Sequence, residues 1–363
     1  MKSREFVGGL AAVAGLSACA EETTSCEEGS AADGQTFEWS CVTSWPPKVP
    51  GLGMAPENLA TRIEAATSGR LKIKVYGGGE LVPPLEVFDA VSRGTVEMGH
   101  GAGYYHKGKV DAAVFFTAIP FGMTNTELNG WMYYGGGLEL YQEVYAPFDL
   151  VPFPTGNTGV QMGGWFNKEI NSIDDLRGLK MRIPGLGGEV LRRAGGTPVT
   201  LPGAEIFTAL QTGAIDATEW VGPYNDASFG LHKAAKYYYY PGWQEPGPGL
   251  ETIINKAAWD SLPPDLQEVV RTTCQAITTD MAAEYTHGNA MSLARLQQDP
   301  NIEIRPFPDE VLKLLKSLAK DVVEDMMAND PASARVGRAY LDYLEKVSAN
   351  SRISETAYLA TRE

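Results

Sequence analysis

Histidine and cysteine are scarce in this chain, with four of each in 363 residues. The histidines, His100, His106, His232 and His287, are not spaced as a metal-holding pair, and no CxxC or Cys/His cluster marks a zinc site. There is no GxSxG elbow, no HExxH helix and no phosphate-binding GxxxxGK[ST] loop. These absences weigh against a secreted hydrolase or metal-dependent lyase. His100, near Tyr105, is the one candidate base, and a structural role on a strand competes with that reading. Positive charge is also short, with 30 Lys and Arg against 45 Asp and Glu, a net of −15. Nucleic acid is therefore a poor partner, because phosphate binding needs a basic surface. A small anion is repelled at long range too, so any anion site must be a local positive spot. After the leader, no apolar run reaches the ~20 residues that a membrane-spanning helix needs.

Lys2 and Arg4 precede an uncharged run from Phe6 to Ala18, which has the form of an export signal. The run ends in Leu16-Ser17-Ala18-Cys19, similar to a bacterial lipoprotein box, whose cysteine is lipidated and becomes the mature N-terminus. An ordinary signal cleaved near Ala18 or Ala20 fits the same residues. Ser3-Arg4-Glu5-Phe6 is similar to a twin-arginine signal but lacks the second arginine, so the export route stays open. The leader thus spans 1–19. Residues 20–35 are polar and acidic and read as a flexible tether. The chain is expected in the periplasm, either free or lipid-anchored at Cys19. Cys26 and Cys41 could pair in that oxidising compartment. Cys274 falls in a helical pattern and reads as a buried free thiol.

Hydrophobic residues make up 44% of the chain, enough for a sizeable core. Strand and helix patterns alternate: strand 36–45, helix 56–67 with Leu59, Ile63 and Ala66 on one face, strand 71–76, helix 85–92 and strand 96–102. The rhythm resumes with strand 159–167, a short helix at 174–176 that Ser172 can cap, strand 180–183, helices 188–194 and 202–212, strand 217–221, and the four-tyrosine strand 237–240. This order implies a parallel or mixed α/β sheet. Long helices are expected over 265–298, 309–328 and 331–361. Val311, Leu314, Leu315, Leu318 and Val322 form a stripe at helical spacing; core packing and a dimer surface both fit it.

The segment Lys180-Met181-Arg182-Ile183 alternates, and Pro184-Gly185 stops it, which puts Arg182 at a strand end. A guanidinium on a rigid strand end is suited to gripping one carboxylate through two parallel hydrogen bonds. A surface arginine before a turn is the plainer alternative.

Four stretches surround this arginine. They are Gly-Asn-Thr-Gly-Val-Gln-Met-Gly-Gly-Trp-Phe (156–166), Gly-Leu-Lys-Met-Arg-Ile-Pro-Gly-Leu-Gly-Gly-Glu-Val-Leu (178–191), Gly-Ala-Ile-Asp-Ala-Thr-Glu-Trp-Val-Gly-Pro (213–223) and Lys-Tyr-Tyr-Tyr-Tyr-Pro-Gly-Trp (236–243). Together they resemble the extracytoplasmic solute receptors of tripartite ATP-independent periplasmic (TRAP) transporters, most of all the branch that binds α-keto acids. The resemblance runs from about residue 36 to the end and is most specific over 156–243. Leu81-Val82-Pro83-Pro84, Phe88-Asp89-Ala90-Val91 and Pro120-Phe121-Gly122-Met123 are similar to the same branch.

The resemblance implies a periplasmic-binding-protein-like α/β fold: two α/β lobes around a central ligand cleft, joined by a long crossing helix, with an extra C-terminal helical segment. Lobe 1 is expected over 36–155 with part of 246–300, and lobe 2 over 156–245. The long helices of 263–363 would bridge the lobes and include a dimer helix. By the same resemblance Arg182 pairs with the substrate carboxylate. Gln161 and Glu219 hold a metal ion, sodium in this branch and calcium as the alternative. Trp220 gives that ion its backbone carbonyl, and the ion touches the carboxylate and keto oxygen of the substrate. Glu245 is a further candidate metal ligand that also reads as a turn residue. Tyr105, Trp45 and Phe166 lie near predicted strand ends and are candidates for the substrate pocket, with core packing as the competing reading.

The donor set is coherent on chemical grounds alone. A hard cation takes oxygen ligands: a carboxylate, an amide oxygen, backbone carbonyls. Glu219 by itself repels an anionic ligand; a bridging cation removes the repulsion, and Arg182 completes the charge balance. A 2-oxo acid offers two oxygens to one metal. The expected function is a receptor without catalysis, which captures a pyruvate-like 2-oxo monocarboxylate and delivers it to a TRAP membrane permease encoded elsewhere. A receptor of the same fold for lactate or another 2-hydroxy carboxylate is the alternative, since a hydroxyl also coordinates a cation. A secreted metal-dependent enzyme is the reading that the missing motifs disfavour.

Overall fold

The structure is a computed structural model that describes residues 34–362. The leader, Cys19, Cys26 and most of the tether lie outside the described residues. The strands are β1 (Phe37–Thr43), β2 (Leu71–Tyr76), β3 (Met98–Gly101), β4 (Leu150–Asn157), β5 (Gly164–Phe166), β6 (Lys180–Arg182), β7 (Thr197–Val199), β8 (Ala217–Thr218), β9 (Tyr237–Tyr240), β10 (Gly249–Asn255) and β11 (Glu303–Pro306). They form two mixed sheets, in the orders β2-β1-β3-β10-β4 and β11-β9-β5-β8-β6-β7. In the first sheet β2, β1 and β3 run parallel and β10 is antiparallel to both neighbours. In the second, β8, β6 and β7 run parallel and β5 is antiparallel to β8 and β9.

Two short segments pass between the sheets, 158–163 from β4 to β5 and 241–248 from β9 to β10. A third passage is the helix Pro264–Leu296, whose 33 residues span roughly 50 Å at 1.5 Å per residue. Its buried line, Leu266, Val270, Cys274, Ile277, Met281, Tyr285, Gly288, Ser292 and Leu296, steps by three or four residues, so one stripe faces the body throughout. Near its middle, the Thr278 hydroxyl donates to the Pro154 carbonyl on β4 at 3.2 Å. Further along, Gly288 lies under the Tyr224 ring, and Asn289 accepts from the Tyr224 N–H at 3.0 Å. Tyr224 follows β8, so this helix packs against elements of both sheets.

Several expected elements stop short. The strand expected over 159–167 exists only at Gly164–Phe166, because the backbone at Gln161 bonds to the 241–245 segment instead of a neighbouring strand. The strand expected over 217–221 ends at Thr218. β4 was not anticipated; it is an edge strand, where Pro152 and Pro154 withhold no needed ladder bond. β11 adds a strand within the C-terminal third, where helices alone were expected. The helices Asn125–Tyr134 and Gly137–Tyr145 were likewise not anticipated. Of the Val311–Val322 stripe, Val311, Leu315 and Val322 are buried within the chain itself, and Leu314 and Leu318 are half-buried. Cys41 and Cys274 are buried thiols. Among the described residues no helix is long and apolar enough to cross a membrane.

Candidate functional site

Arg182 closes β6, in register with Val199 on β7 and Thr218 on β8. All three strands run parallel, so Arg182 and Glu219, the residue after β8, meet at the carboxyl ends where open α/β sheets form their ligand crevice. Arg182 is 1% exposed. Its Nε donates to the Leu201 carbonyl at 3.2 Å and its Nη2 to the Tyr105 hydroxyl at 3.3 Å. Its Nη1 donates to the Glu219 carboxylate and, at 3.4 Å, to the Glu219 carbonyl. The Trp220 ring lies against the guanidinium, 5.2 Å from its centre.

Burial opposes the guanidinium's charge, but the Glu219 carboxylate holds its pKa above the ordinary value. Burial pushes Glu219 the other way, up to about 7, against the pull of Arg182 and with help from Asp226. A guanidinium does not give up its proton near neutrality, so of this pair it is the carboxyl that titrates.

Gln161 lies in the 158–163 passage and is buried. Its neighbour Met162 donates a backbone N–H to the Val221 carbonyl at 3.0 Å, which lays this segment beside 219–221. Glu245 lies in the other passage; its Oε2 accepts from Gln161 Nε2 at 2.8 Å. Burial, then the nearby Glu219 charge, raises the Glu245 carboxyl well above the ordinary carboxylate range. Two acceptor oxygens here, Gln161 Oε1 and Glu219 Oε2, are buried without a partner among the described residues. Each such orphan costs about 1–3 kcal/mol of lost hydration. Both are hard oxygen donors of the kind that a cation such as sodium or calcium takes. No group of three His, Cys, Asp or Glu gathers among the described residues. The set fits an ion held by one carboxylate, one amide and backbone carbonyls, and it does not fit zinc.

The first sheet supplies the opposite wall. Trp45 follows β1 and Tyr105 follows β3, again at carboxyl ends, and their rings lie 5.9 Å apart. Trp45 is also 6.4 Å from Trp220. Gly185, at φ +61° in the turn after β6, would bring a Cβ within 3.1 Å of Tyr104, a close approach that suits glycine. Arg182, Glu219, Trp220, Tyr105 and Trp45 thus form one cluster, with the Gln161–Glu245 pair adjoining it. Phe166 does not belong. It packs on Tyr239 and Phe307 at 5.1 and 5.8 Å, inside the second sheet's core, because alternation along β5 turns it to the other face.

Sequence reasoning did not single out Tyr104, whose ring packs edge-on against Tyr105 at 4.8 Å and lies against Gly185; its place beside Tyr105 was the available signal. It also missed Thr158, an acceptor for the Gln161 amide at 3.2 Å. His100 is a support for Trp45 and not a base. Its Nδ1 accepts from Trp45 Nε1 at 2.8 Å, so Nε2 carries the hydrogen and donates to the Thr155 carbonyl at 2.9 Å. Burial lowers its pKa to about 4, and both ring nitrogens are taken.

Residues 41–330 match the family model of bacterial extracellular solute-binding proteins, family 7. The chain is 42% identical over 361 residues to a monocarboxylate 2-oxoacid-binding periplasmic protein of a Nostoc species, covering 99% of this chain and 98% of that one. It is similar to a TRAP periplasmic solute-binding protein from Pseudoalteromonas atlantica solved with bound sodium and pyruvate, with a TM-score of 0.88 and 43% identity over 91% of this chain and 100% of the other. A TRAP solute-binding protein from Bordetella bronchiseptica, described as a mixed-occupancy dimer with copurified calcium and picolinate, matches with a TM-score of 0.89 and 36% identity over 90% and 97%.

Proposed function

The chain belongs to family 7 of the bacterial extracellular solute-binding proteins, the receptors of TRAP transporters, and from that premise we propose that it captures a pyruvate-like 2-oxo monocarboxylate through Arg182 and a bridging cation. It is an extracytoplasmic receptor and not an enzyme, and it works with a membrane permease. The observation that carries the ligand reading is the pair of buried, unpartnered oxygens, Gln161 Oε1 and Glu219 Oε2, beside a fully buried arginine.

Glu219 pairs with the Arg182 guanidinium. Arg182 would also grip the ligand carboxylate, and the unpartnered Oε2 of Glu219 would face the cation. When bound, the cation supplies a positive charge between Glu219 and the ligand's carboxylate and keto oxygens. The pair Arg182–Glu219 is neutral, and a sodium ion with a monocarboxylate adds no net charge. Trp220 stacks on the guanidinium and offers its carbonyl; Tyr105 and Trp45 close the pocket from the other sheet. Closure is favoured because only the closed form brings both sets onto one ligand. The lobes correspond to the two sheets.

Thermal melts of ligand-stripped protein test this. Pyruvate, longer 2-oxo acids, lactate and succinate are added with and without sodium or calcium. Ligand at a hundredfold excess over Kd adds about 2.7 kcal/mol and moves the melt by several degrees. A shift with 2-oxo acids that needs the cation supports the reading. An equal or larger shift with lactate moves the ligand to the 2-hydroxy class. No shift with any monocarboxylate sinks the reading.

The pH dependence has a definite sign. Burial raises Glu219 to about 7, so below that pH a proton competes with the cation for its carboxylate. The ligand-plus-cation shift should therefore grow from pH 5.5 to 8. Without added ligand, the same raised pKa stabilises the fold below the ordinary carboxylate pKa, and that contribution is lost as pH rises through 7. Melts across this range check both trends; a ligand shift that shrinks with pH contradicts the assignment.

A second copy of the chain is proposed to dock on the C-terminal helices, where Ile353, Tyr358 and Leu359 are 80%, 65% and 45% exposed. Sedimentation should give a dimer, and Ile353→Glu with Tyr358→Asp should give a monomer of unchanged ligand affinity. A monomeric wild type removes this proposal. The sequence Leu16-Ser17-Ala18-Cys19 supports a lipid anchor. Membrane retention that survives high salt should vanish in Cys19→Ser, and retention unaltered by that change rules the anchor out.

A further inference from the structure

We infer that Glu245 is a positioning residue for the cation site: it holds the Gln161 amide so that Oε1, and not the NH2 group, is offered to the cation. This rests on the cation-bridged reading above. The two passages between the sheets are laced together here. Gly242 N–H donates to the Gln161 carbonyl at 3.0 Å, Gln161 N–H to the Glu245 carbonyl at 3.2 Å, and Glu245 N–H to the Gly242 carbonyl at 3.2 Å. Asn157 Nδ2 adds a bond to the Gly247 carbonyl at 3.0 Å. A Cβ at position 242 would fall 2.3 Å from the Gln161 carbonyl oxygen, so only glycine allows the two segments to come this close.

Within this clasp both amide hydrogens of Gln161 are used. One goes to Glu245 Oε2 at 2.8 Å and the other to Thr158 Oγ1 at 3.2 Å. The Thr158 hydroxyl spends its own hydrogen on the Gly159 carbonyl at 3.3 Å, so towards Gln161 it can only accept. Turned over, Oε1 would face acceptors, and the NH2 group would point where a cation belongs. The orientation is therefore set by the neighbours and leaves Oε1 as the buried orphan. A carboxyl keeps an accepting carbonyl oxygen whether or not it is ionised, so the contact does not depend on the charge of Glu245. Glu245 Oε2 thus serves the Gln161 amide, which makes Glu245 a support for that side chain.

The test compares Glu245→Gln with Glu245→Leu in the mature chain. Sodium and calcium affinities are measured by calorimetry at saturating pyruvate. The Gln161 side-chain amide is followed by 15N–1H spectroscopy without ligand or cation and assigned by its loss in Gln161→Ala. Glutamine keeps an accepting oxygen, so Glu245→Gln should stay within about threefold of wild type, whereas Glu245→Leu should lose about tenfold or more in cation affinity. In the leucine variant the Gln161 amide protons should also lose their exchange protection. Equal loss in both variants would make Glu245 a direct ligand and overturn the inference, as would a leucine variant with unchanged affinity and unchanged amide protection. A wild type that binds pyruvate without any cation would instead overturn the cation-bridged reading, and the amide spectrum would still judge the clasp. Thr158→Val, which removes the second acceptor, should shift the same amide signal even if the leucine variant does not fold.

Discussion

Arg182→Met is expected to abolish binding of the carboxylate ligand while leaving the chain folded. The guanidinium is buried, and its donors reach Leu201, Glu219 and Tyr105, so no solvent replaces it when it is removed. Breaking one partner out of a desolvated charge pair costs about 3–5 kcal/mol, which is a hundredfold or more in affinity. The fold is spared the full cost of an orphaned Glu219, because burial already pushes that carboxyl up to about 7 and it can take a proton. Arg182→Lys keeps the charge but loses the planar fork, and should fall between wild type and methionine. Calorimetric titration with pyruvate, beside a circular-dichroism melt, measures both effects. A loss below about tenfold, roughly 1.4 kcal/mol, would mean Arg182 is not the clamp.

Glu219→Gln is expected to weaken ligand and cation together, by about a hundredfold each. The substitution keeps size and removes the charge on the oxygen that stands unpartnered beside Arg182. Coupling between two ligands is reciprocal: the factor by which the cation tightens the 2-oxo acid is the factor by which the acid tightens the cation. In the variant that shared factor should collapse towards one. Titrations of each ligand, with and without the other, give the factor twice. A coupling as strong as in wild type would take Glu219 out of the cation site.

Much of the frame was legible because local pattern and burial agree. β2 and β9 have the expected limits, and the alternating segment at 180–182 placed Arg182 at a strand end. The site's other members sit where local pattern is silent. Gln161 was expected on a strand, but its backbone bonds to a segment some 84 positions away in the chain, and no local period records that. Glu245 read as a turn residue or a ligand; its role depends on the same distant contact. Phe166 and Trp165 look alike in sequence, and only the structure shows both buried in the second sheet's core, Trp165 on Tyr238 and Phe166 on Tyr239 and Phe307. His100 looked like a candidate base until its two ring partners, Trp45 and Thr155, were placed.

The bridging cation is tested most directly by the affinity for pyruvate as a function of cation concentration. Ligand-stripped protein is titrated in a choline buffer with chelator, and again at rising sodium and at rising calcium. One cation per ligand gives an affinity that rises tenfold for each tenfold rise in cation at the low end, then levels off as the site fills. An affinity in chelated choline buffer equal to that in sodium and in calcium would show that Gln161 and Glu219 hold no ion for the ligand.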